Sequence, residues 1–309
     1  MKKWLKRLFL WVVLPVLGLL AIMVALNWNM VQRLMLGGLK VYETTPPALP
    51  ADLKHPAILV FSKTNGFRHE EAIPAANALF AGVAKEKGWS YFQTENGATF
   101  SAEVLSKFDA VVFNNVSGDV FTPAQRAAFK AFLENGGGFV GIHGAGGDFK
   151  YDWRWYVEDV IGAQFTMHTM KPQFQVATVN VEDAAHPVTA GLPASWRHME
   201  ELYSFEKSPR RAKSSENGGY HILAGVDEKS YKPIGMFDKD LRMGADHPMV
   251  WWHCIGKGRV LYSAFGHQAA SYSEPEYRTL LTNAVGWAAR QGDSKDCDAA
   301  PAAGEGKQP

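Results

Sequence analysis

The chain has 309 residues, a formal net charge of +1 and no Lys/Arg block beyond its N-terminal flank, so it lacks the electrostatic footprint of a nucleic-acid-binding protein. No internal repeat of solenoid or propeller length is visible. Of the two cysteines, Cys254 falls in a predicted strand and Cys297 in the tail, so Cys254 is expected to be buried and unpaired rather than bonded to Cys297.

Residues 1–7, Met1-Lys-Lys-Trp-Leu-Lys-Arg7, form a basic flank, and Leu8 to Leu26 are nineteen residues without a charge. As a helix they reach roughly 28 Å, enough to cross a hydrocarbon core of about 30 Å. The exit, Leu26-Asn-Trp-Asn-Met30, has no small-x-small cleavage site, so 8–26 is expected to be an uncleaved signal anchor. Lys2, Lys3, Lys6 and Arg7 stand against Arg33 and Lys40 on the other side. The positive-inside rule then leaves the N-terminus in the cytoplasm and the globular part outside it, in the periplasm. Residues 27–55, with Thr44-Thr-Pro-Pro-Ala-Leu-Pro50, read as a stiff linker. Residues 292–309 are small, charged and Pro/Gly-containing and read as a disordered tail. What remains, 56–291, suits one large α/β domain.

Within that domain the predicted elements alternate. Ala57 to Phe61 is an apolar strand, Glu70 to Gly88 a helix ending at glycine, Ser90 to Thr94 a strand, and a short helix follows near Ala102. Ala110-Val-Val-Phe-Asn114 is a continuous apolar run, the pattern of a strand buried on both faces of a parallel sheet. Thr122-Pro-Ala-Gln125 supplies an N-cap, a proline at the first helical position and a reciprocal glutamine. The helix it starts delivers the chain into the strand Gly138-Phe-Val-Gly-Ile142. Past residue 165 the texture changes to strands with Pro/Gly turns, at 173–181, 201–206, 221–226, 233–237, 249–253 and 258–265, and a helix through Tyr277 to Ala288 closes the chain. The expected fold is a three-layer, doubly wound α/β sheet, mostly parallel, with an antiparallel extension.

Ligands collect at the carboxyl ends of such strands. Residues 65–69, 114–119 and 143–148 all fall there. The run Glu134-Asn-Gly-Gly-Gly-Phe-Val-Gly-Ile-His-Gly-Ala-Gly-Gly147 reads as a helix end, a buried strand and a sharp glycine-lined turn with His143 at its apex. An imidazole where hydrolases carry serine or cysteine argues against an acyl-enzyme. His69, His168, His253 and His267 also follow or end predicted strands, and histidine is the usual acid, base and metal ligand.

The motifs Asn65-Gly-Phe-Arg-His69, Gly137-Gly-Phe-Val-Gly-Ile-His-Gly144, His186-Pro-Val-Thr-Ala-Gly-Leu-Pro193, Glu200-Glu-Leu-Tyr203, Gly256-Lys-Gly-Arg-Val-Leu-Tyr262 and Gly266-His267 together resemble the ThuA-like (trehalose utilisation) family. The resemblance runs from about Pro56 to Arg290. It implies a class I glutamine amidotransferase-like fold with an altered nucleophile position, and an association with sugar metabolism that includes 3-keto-glycosides. Glu200 departs from the aspartate common there, while Glu201 is retained.

The combined reading assigns His143 and His69 to proton transfer or metal binding, Glu201 to the base or to orienting a histidine, and Tyr203 to the acid or an oxyanion donor. His143, His168 and His267 are the candidate ligands of a divalent metal such as zinc, although the compact helix-borne spacing of such sites is absent. Trp153 and Trp155 are expected to form a carbohydrate wall, with Asn115 and Arg68 as further substrate contacts. Trp251 and Trp252 alternate across a strand, so at most one faces the cleft. Gly256-Lys-Gly-Arg259 reads as a hairpin turn with solvated charges. The expected activity is acid/base isomerisation, elimination or hydrolysis of an oxidised sugar or glycoside. The alternative is a non-catalytic carbohydrate-binding or scaffolding domain, because fold alone does not imply activity.

Overall fold

The computed structural model describes residues 2–148, 152–212 and 219–298. The chain starts with α1 (Lys2–Leu8), which passes through a π-helical stretch (Phe9–Val13) into α2 (Leu14–Leu26), and then α3 (Trp28–Met35). The segment Lys6–Leu26 is long and apolar enough to cross a membrane, and none of it is buried against the rest of the protein.

The domain follows as β1 (Ala57–Phe61), α4 (Ala72–Lys87), β2 (Ser90–Thr94), α5 (Ala102–Leu105), β3 (Ala110–Asn114), α6 (Pro123–Glu134) and β4 (Gly138–Ile142). Then come β5 (Phe165–His168), β6 (Phe174–Val181), β7 (Ser195–Glu201), β8 (Tyr203–Phe205), β9 (His221–Asp227), β10 (Pro248–Ile255), β11 (Gly258–Ser263) and α7 (Pro275–Ala288). The main sheet has the order β2-β1-β3-β4-β11-β10-β9-β6-β7. The first five strands are parallel and the remainder extend them antiparallel. A separate antiparallel pair joins β5 to β8.

Strands β1, β3 and β4 are buried along their whole length, which is why their sequences lack alternation. The chain leaves β1 in one direction toward β2 and returns in the other toward β3. Right-handed crossovers therefore place α4 on one face and α5 and α6 on the opposite one. Thr122 forms the expected capping box with Gln125, and α4 ends on Gly88 in the left-handed region.

Several expectations are corrected. Cys254 and Cys297 are joined by a disulfide. The described part of the tail, 292–298, is accordingly held against the domain: Arg259, expected to be solvated, is buried and donates to the carbonyls of Trp287 (2.9 Å), Ser294 (2.6 Å) and Asp296 (3.0 Å). An arginine stem can lie in an apolar setting when carbonyls satisfy its fork. The rest of the tail lies outside the described residues. Residues 38–45 of the expected linker also dock. Leu39 N–H donates to Asn65 O (2.7 Å), Tyr42 to Asp119 (2.7 Å), Gln125 to Glu43 O (2.8 Å), and Lys63 pairs with Glu43. Residues 233–237 do not form a strand; Ile234 makes one bridge to Asp240 and the chain turns at Met236–Asp238. The strand expected at 201–206 is divided between β7 and β8.

Because the disulfide closes a separation of 43 residues, reduction or Cys297→Ser is expected to lower stability by about 2–4 kcal/mol. Thermal melts with and without reductant check this. A melting temperature indifferent to reductant contradicts the pairing.

Candidate functional site

Four neighbouring parallel strands, β1, β3, β4 and β11, end at one edge of the sheet. The loops after them carry His69, Asn115, His143 and His267 in turn. Glu200 and Glu201 reach the same edge at the end of β7, Tyr203 on β8, and His168 at the end of β5.

His143 sits at φ 44° and Asn115 at φ 55°, both in the left-handed region that side chains rarely occupy. Packing imposes this at His143. Tyr262 Oη donates to the His143 carbonyl (2.8 Å), Tyr156 Oη to the Ala145 carbonyl (2.9 Å), and the Gly144 N–H donates to Asn115 Oδ1 (3.2 Å). The glycines after His143 are required by close approach: a Cβ on Gly147 would stand 2.5 Å from the Tyr203 hydroxyl, and one on Gly144 3.1 Å from the His69 ring.

The His143 ring is fully buried, with Nδ1 2.8 Å from the Ala264 carbonyl. That contact fixes the proton on Nδ1 and leaves the Nε2 lone pair facing the site. Three groups surround Nε2: the Tyr203 hydroxyl donates at 2.9 Å, His267 Nδ1 lies at 3.1 Å and Glu201 Oε2 at 3.4 Å. His267 Nδ1 is 3.0 Å from the same carboxylate oxygen. His69 completes a group whose ligand atoms all lie within 4.8 Å of one another. Its buried Nδ1 has no hydrogen-bond partner among the described residues.

These donors fit a divalent ion. Bonds of about 2.0–2.1 Å at tetrahedral angles separate ligand atoms by roughly 3.3 Å, and the His143, His267 and Glu201 atoms form a triangle with edges of 3.0–3.4 Å. The His143 contact with a backbone carbonyl is also the usual outer support of a metal-ligating imidazole. Of the sequence-predicted ligands, His143 and His267 are in the group and His168 stands outside it, with Nδ1 near the Thr169 carbonyl (2.9 Å) and Glu201 Oε1 (3.1 Å), while His69 and Glu201 stand inside.

Burial acts to raise the Glu201 carboxyl pKa, but the adjoining His143 and His267 rings outweigh it and hold it far below the usual range. Burial first, and then the neighbouring His143 and His267 rings, push the His69 imidazole well below its usual value. Burial, then the Glu201 charge, push the Tyr203 phenol well above its own, so it remains a donor at neutral pH.

Glu200 was not singled out by sequence reasoning, yet it holds the site together. Its fully buried carboxylate accepts N–H bonds from Glu201 (2.9 Å), Gly266 (2.7 Å) and His267 (3.2 Å). Thus it ties β7 to the loop after β11. His198, buried beside it, has Nδ1 2.5 Å from Glu274 and Nε2 3.5 Å from Glu200. Burial lowers the His198 pKa, but the hydrogen bonds to Glu200 and Glu274 raise it further, to about 9.

A cleft of about 600 Å³ opens over the cluster and includes His69, His168, Glu201, Tyr203 and His267 in its walls. Such a volume suits a small molecule. Other predicted contacts lie elsewhere. Trp153 and Trp155 pack on Phe129 at 6.1 and 6.4 Å, with Arg126 over one ring and Lys130 over the other, so they belong to the α6 face. Arg68 turns outward to Glu95 (2.8 Å) and Glu70 (3.1 Å). Asn115 is buried beneath the cleft as a support for the Gly144 backbone. His253, on β10, is buried with its Nε2 2.9 Å from the Val160 carbonyl, an acceptor, and burial lowers its pKa to about 4. His186 caps the turn Pro187–Thr189 and stacks on Trp252 at 4.9 Å.

The sequence profile of the ThuA family, described as trehalose utilisation, matches residues 57–288. The chain belongs to the ThuA family. A ThuA-like protein from Bacteroides uniformis is 28% identical, with a TM-score of 0.66 over 83% of this chain and 99% of that one. A ThuA-like protein from Parabacteroides merdae is 19% identical, with a TM-score of 0.55 over 76% of this chain and 90% of that one. A cytoplasmic protein from Salmonella typhimurium shares the fold at 13% identity, with a TM-score of 0.50 over 75% and 99% of the two chains. No curated protein matches the chain. This ThuA domain has histidine at the elbow where glutamine amidotransferases need an activated thiolate, and both of its cysteines are in the disulfide.

Replacing Glu200 by Gln is expected to cost about 1.5–3 kcal/mol of stability by weakening charge-assisted bonds, read as a lower denaturation midpoint; an unchanged midpoint contradicts the role. A second expectation concerns pH. The folded His198 value of about 9 lies above the ordinary value of about 6.5, so its contribution is complete below about pH 6.5 and is lost as pH rises through about 9. Melting temperatures measured from pH 6 to 10 should fall over that window in the native chain and less steeply in His198→Phe; parallel curves contradict the charged state.

Proposed function

We propose that this ThuA-family protein is a membrane-anchored enzyme outside the cytoplasm that acts on a carbohydrate, with His69, His143, His267 and Glu201 holding a divalent ion such as zinc. Its reaction, on this reading, is proton transfer beside a ketone, leading to isomerisation, elimination or hydrolysis of a 3-keto sugar or glycoside. The observation that carries the proposal is the convergence of three imidazoles, one ionised carboxylate and one protonated phenol in a single cleft. The compartment rests on the apolar segment Lys6–Leu26 with its basic flank and on the disulfide, which persists in oxidising surroundings.

Held by His69, His143, His267 and Glu201, an ion would supply Lewis-acid polarisation of the C3 carbonyl and so acidify the C2 proton. Glu201 is too weak a base for that proton, because the imidazoles hold it ionised; its role is to ligate and to orient His267 and His168. His168 takes the base role. Its Nδ1 proton is pinned on the Thr169 carbonyl, which leaves Nε2 as the acceptor. As His168 removes the C2 proton, the C–H electrons form the C2–C3 double bond of an enolate with the charge on the C3 oxygen; its collapse restores the C3 carbonyl, forms the C1–C2 double bond and breaks the C1–O bond. The imidazolium then returns its proton to the departing oxygen. Tyr203 donates a hydrogen bond to the oxyanion without losing its proton. Addition of water to the enone completes hydrolysis.

With a 3-keto-glycoside as substrate, His168→Ala is expected to lower kcat by about 10²–10⁴-fold, and His143→Ala to abolish turnover with the circular dichroism spectrum retained. Binding of the sugar without product from the native protein would instead favour the carbohydrate-binding module. Turnover unchanged in His143→Ala would remove the reading.

A further inference from the structure

The cleft is lined by both polar and apolar groups. Phe67 packs on His69 (4.8 Å) and Phe165 on Tyr203 (4.4 Å) beside the imidazoles and Glu201, and Met170 and Met236 add further apolar wall. Such an apolar wall exceeds what a bare sugar needs, since sugars are bound chiefly through placed polar groups. Beside Met236 stands Phe237, 90% exposed and at φ 55°, so a large apolar side chain is held in solvent by a strained turn at the mouth.

The remaining wall comes from the N-terminal segment. Arg33, Gly37 and Gly38 line the cleft. Arg33 Nη1 donates to the carbonyls of Thr64 (2.6 Å) and Gly66 (3.0 Å), and Gly38 packs so closely that a Cβ there would lie 2.9 Å from the Asn65 carbonyl oxygen. Arg33 is on α3, eight residues and roughly 12 Å long, which with Asn27 and Leu36 is all that separates Gly37 and Gly38 from the apolar helix ending at Leu26. Trp28, Met30, Met35 and Leu36 on and beside α3 are exposed. The mouth of the cleft is thereby tethered within a short distance of the end of the apolar helix.

We infer that the outer half of the cleft is a subsite for an apolar group attached to the carbohydrate, bounded by Met170, Met236, Phe67 and the Gly37–Gly38 turn. The substrate class is an amphiphilic glycoside, with its sugar at the histidines and its alkyl or aryl part along this wall. This deepens the proposed function and rests on it for the sugar half alone.

Methyl, hexyl and octyl β-glucoside, and octanol, are titrated calorimetrically against the full chain in nanodiscs, below micelle-forming concentrations. Affinity should rise with chain length, up to about fourfold per fully buried methylene, and Met170→Ser/Met236→Ser should flatten that slope while leaving methyl glucoside binding and metal content as they are. Partition into the disc lipid is common to both proteins, so the difference reads the subsite. Equal slopes in the native and double-variant proteins overturn the inference. Octanol binding as tightly as octyl glucoside, with a slope that flattens in the variant, upholds the apolar subsite and contradicts the carbohydrate reading. Dodecyl glucoside that saturates the protein only from its own disc identifies a bilayer source; equal saturation by dissolved hexyl glucoside identifies a soluble one.

Discussion

A carboxylate buried among imidazoles is the constraint around which this molecule is arranged. Glu201 is almost completely removed from water, and an ion in that position must be compensated nearby or it takes up a proton. Compensation comes from His143 and His267 on one oxygen and from Gln173 (2.5 Å) and His168 (3.1 Å) on the other. Those residues arrive on three separate segments. The sheet topology brings the His143 and His267 loops together, since β4 and β11 end at the same edge, and Glu200 ties β7 to that edge through the N–H groups of Gly266 and His267. A second buried carboxylate thus supports the first.

The periphery secures the same edge. Residues 38–45 strap the β1 and β3 loops through Glu43, Tyr42 and Leu39, and the disulfide with Arg259 fastens the C-terminal segment under the opposite end of β11. The strained backbone at Asn115 and His143 is over-determined by this packing. On the proposed reading, that rigidity holds the donor atoms at their ligand-like separations.

The β/α alternation was legible in the sequence because both-face burial leaves continuous apolar strands, and because caps such as Thr122 and Gly88 are local. His143, His69, His267 and Glu201 were legible as individuals. Their grouping was not, since it depends on β11 inserting beside β4, a pairing across more than a hundred residues. Trp153 and Trp155 misled because aromatic side chains serve a core and a sugar wall equally well from sequence, and only their contacts with Phe129 and Arg126 distinguish the two. Glu200 went unread for the opposite reason. Most of its short contacts are with backbone N–H groups, which leave no trace in residue identity. The Cys254–Cys297 bond was missed because composition made 292–298 resemble a tail, whereas Arg259 and Trp287 provide the partners that order it.

The central claim is that His69, His143, His267 and Glu201 form one ligand set. X-ray absorption at the zinc edge, on protein isolated from zinc-supplemented cells, tests it most directly. The account predicts one zinc per chain with nitrogen and oxygen neighbours at about 2.0–2.2 Å, multiple-scattering features of imidazole, and loss of the signal in Glu201→Gln. A protein that acquires no stoichiometric metal, or one whose metal signal is unchanged in Glu201→Gln, contradicts it.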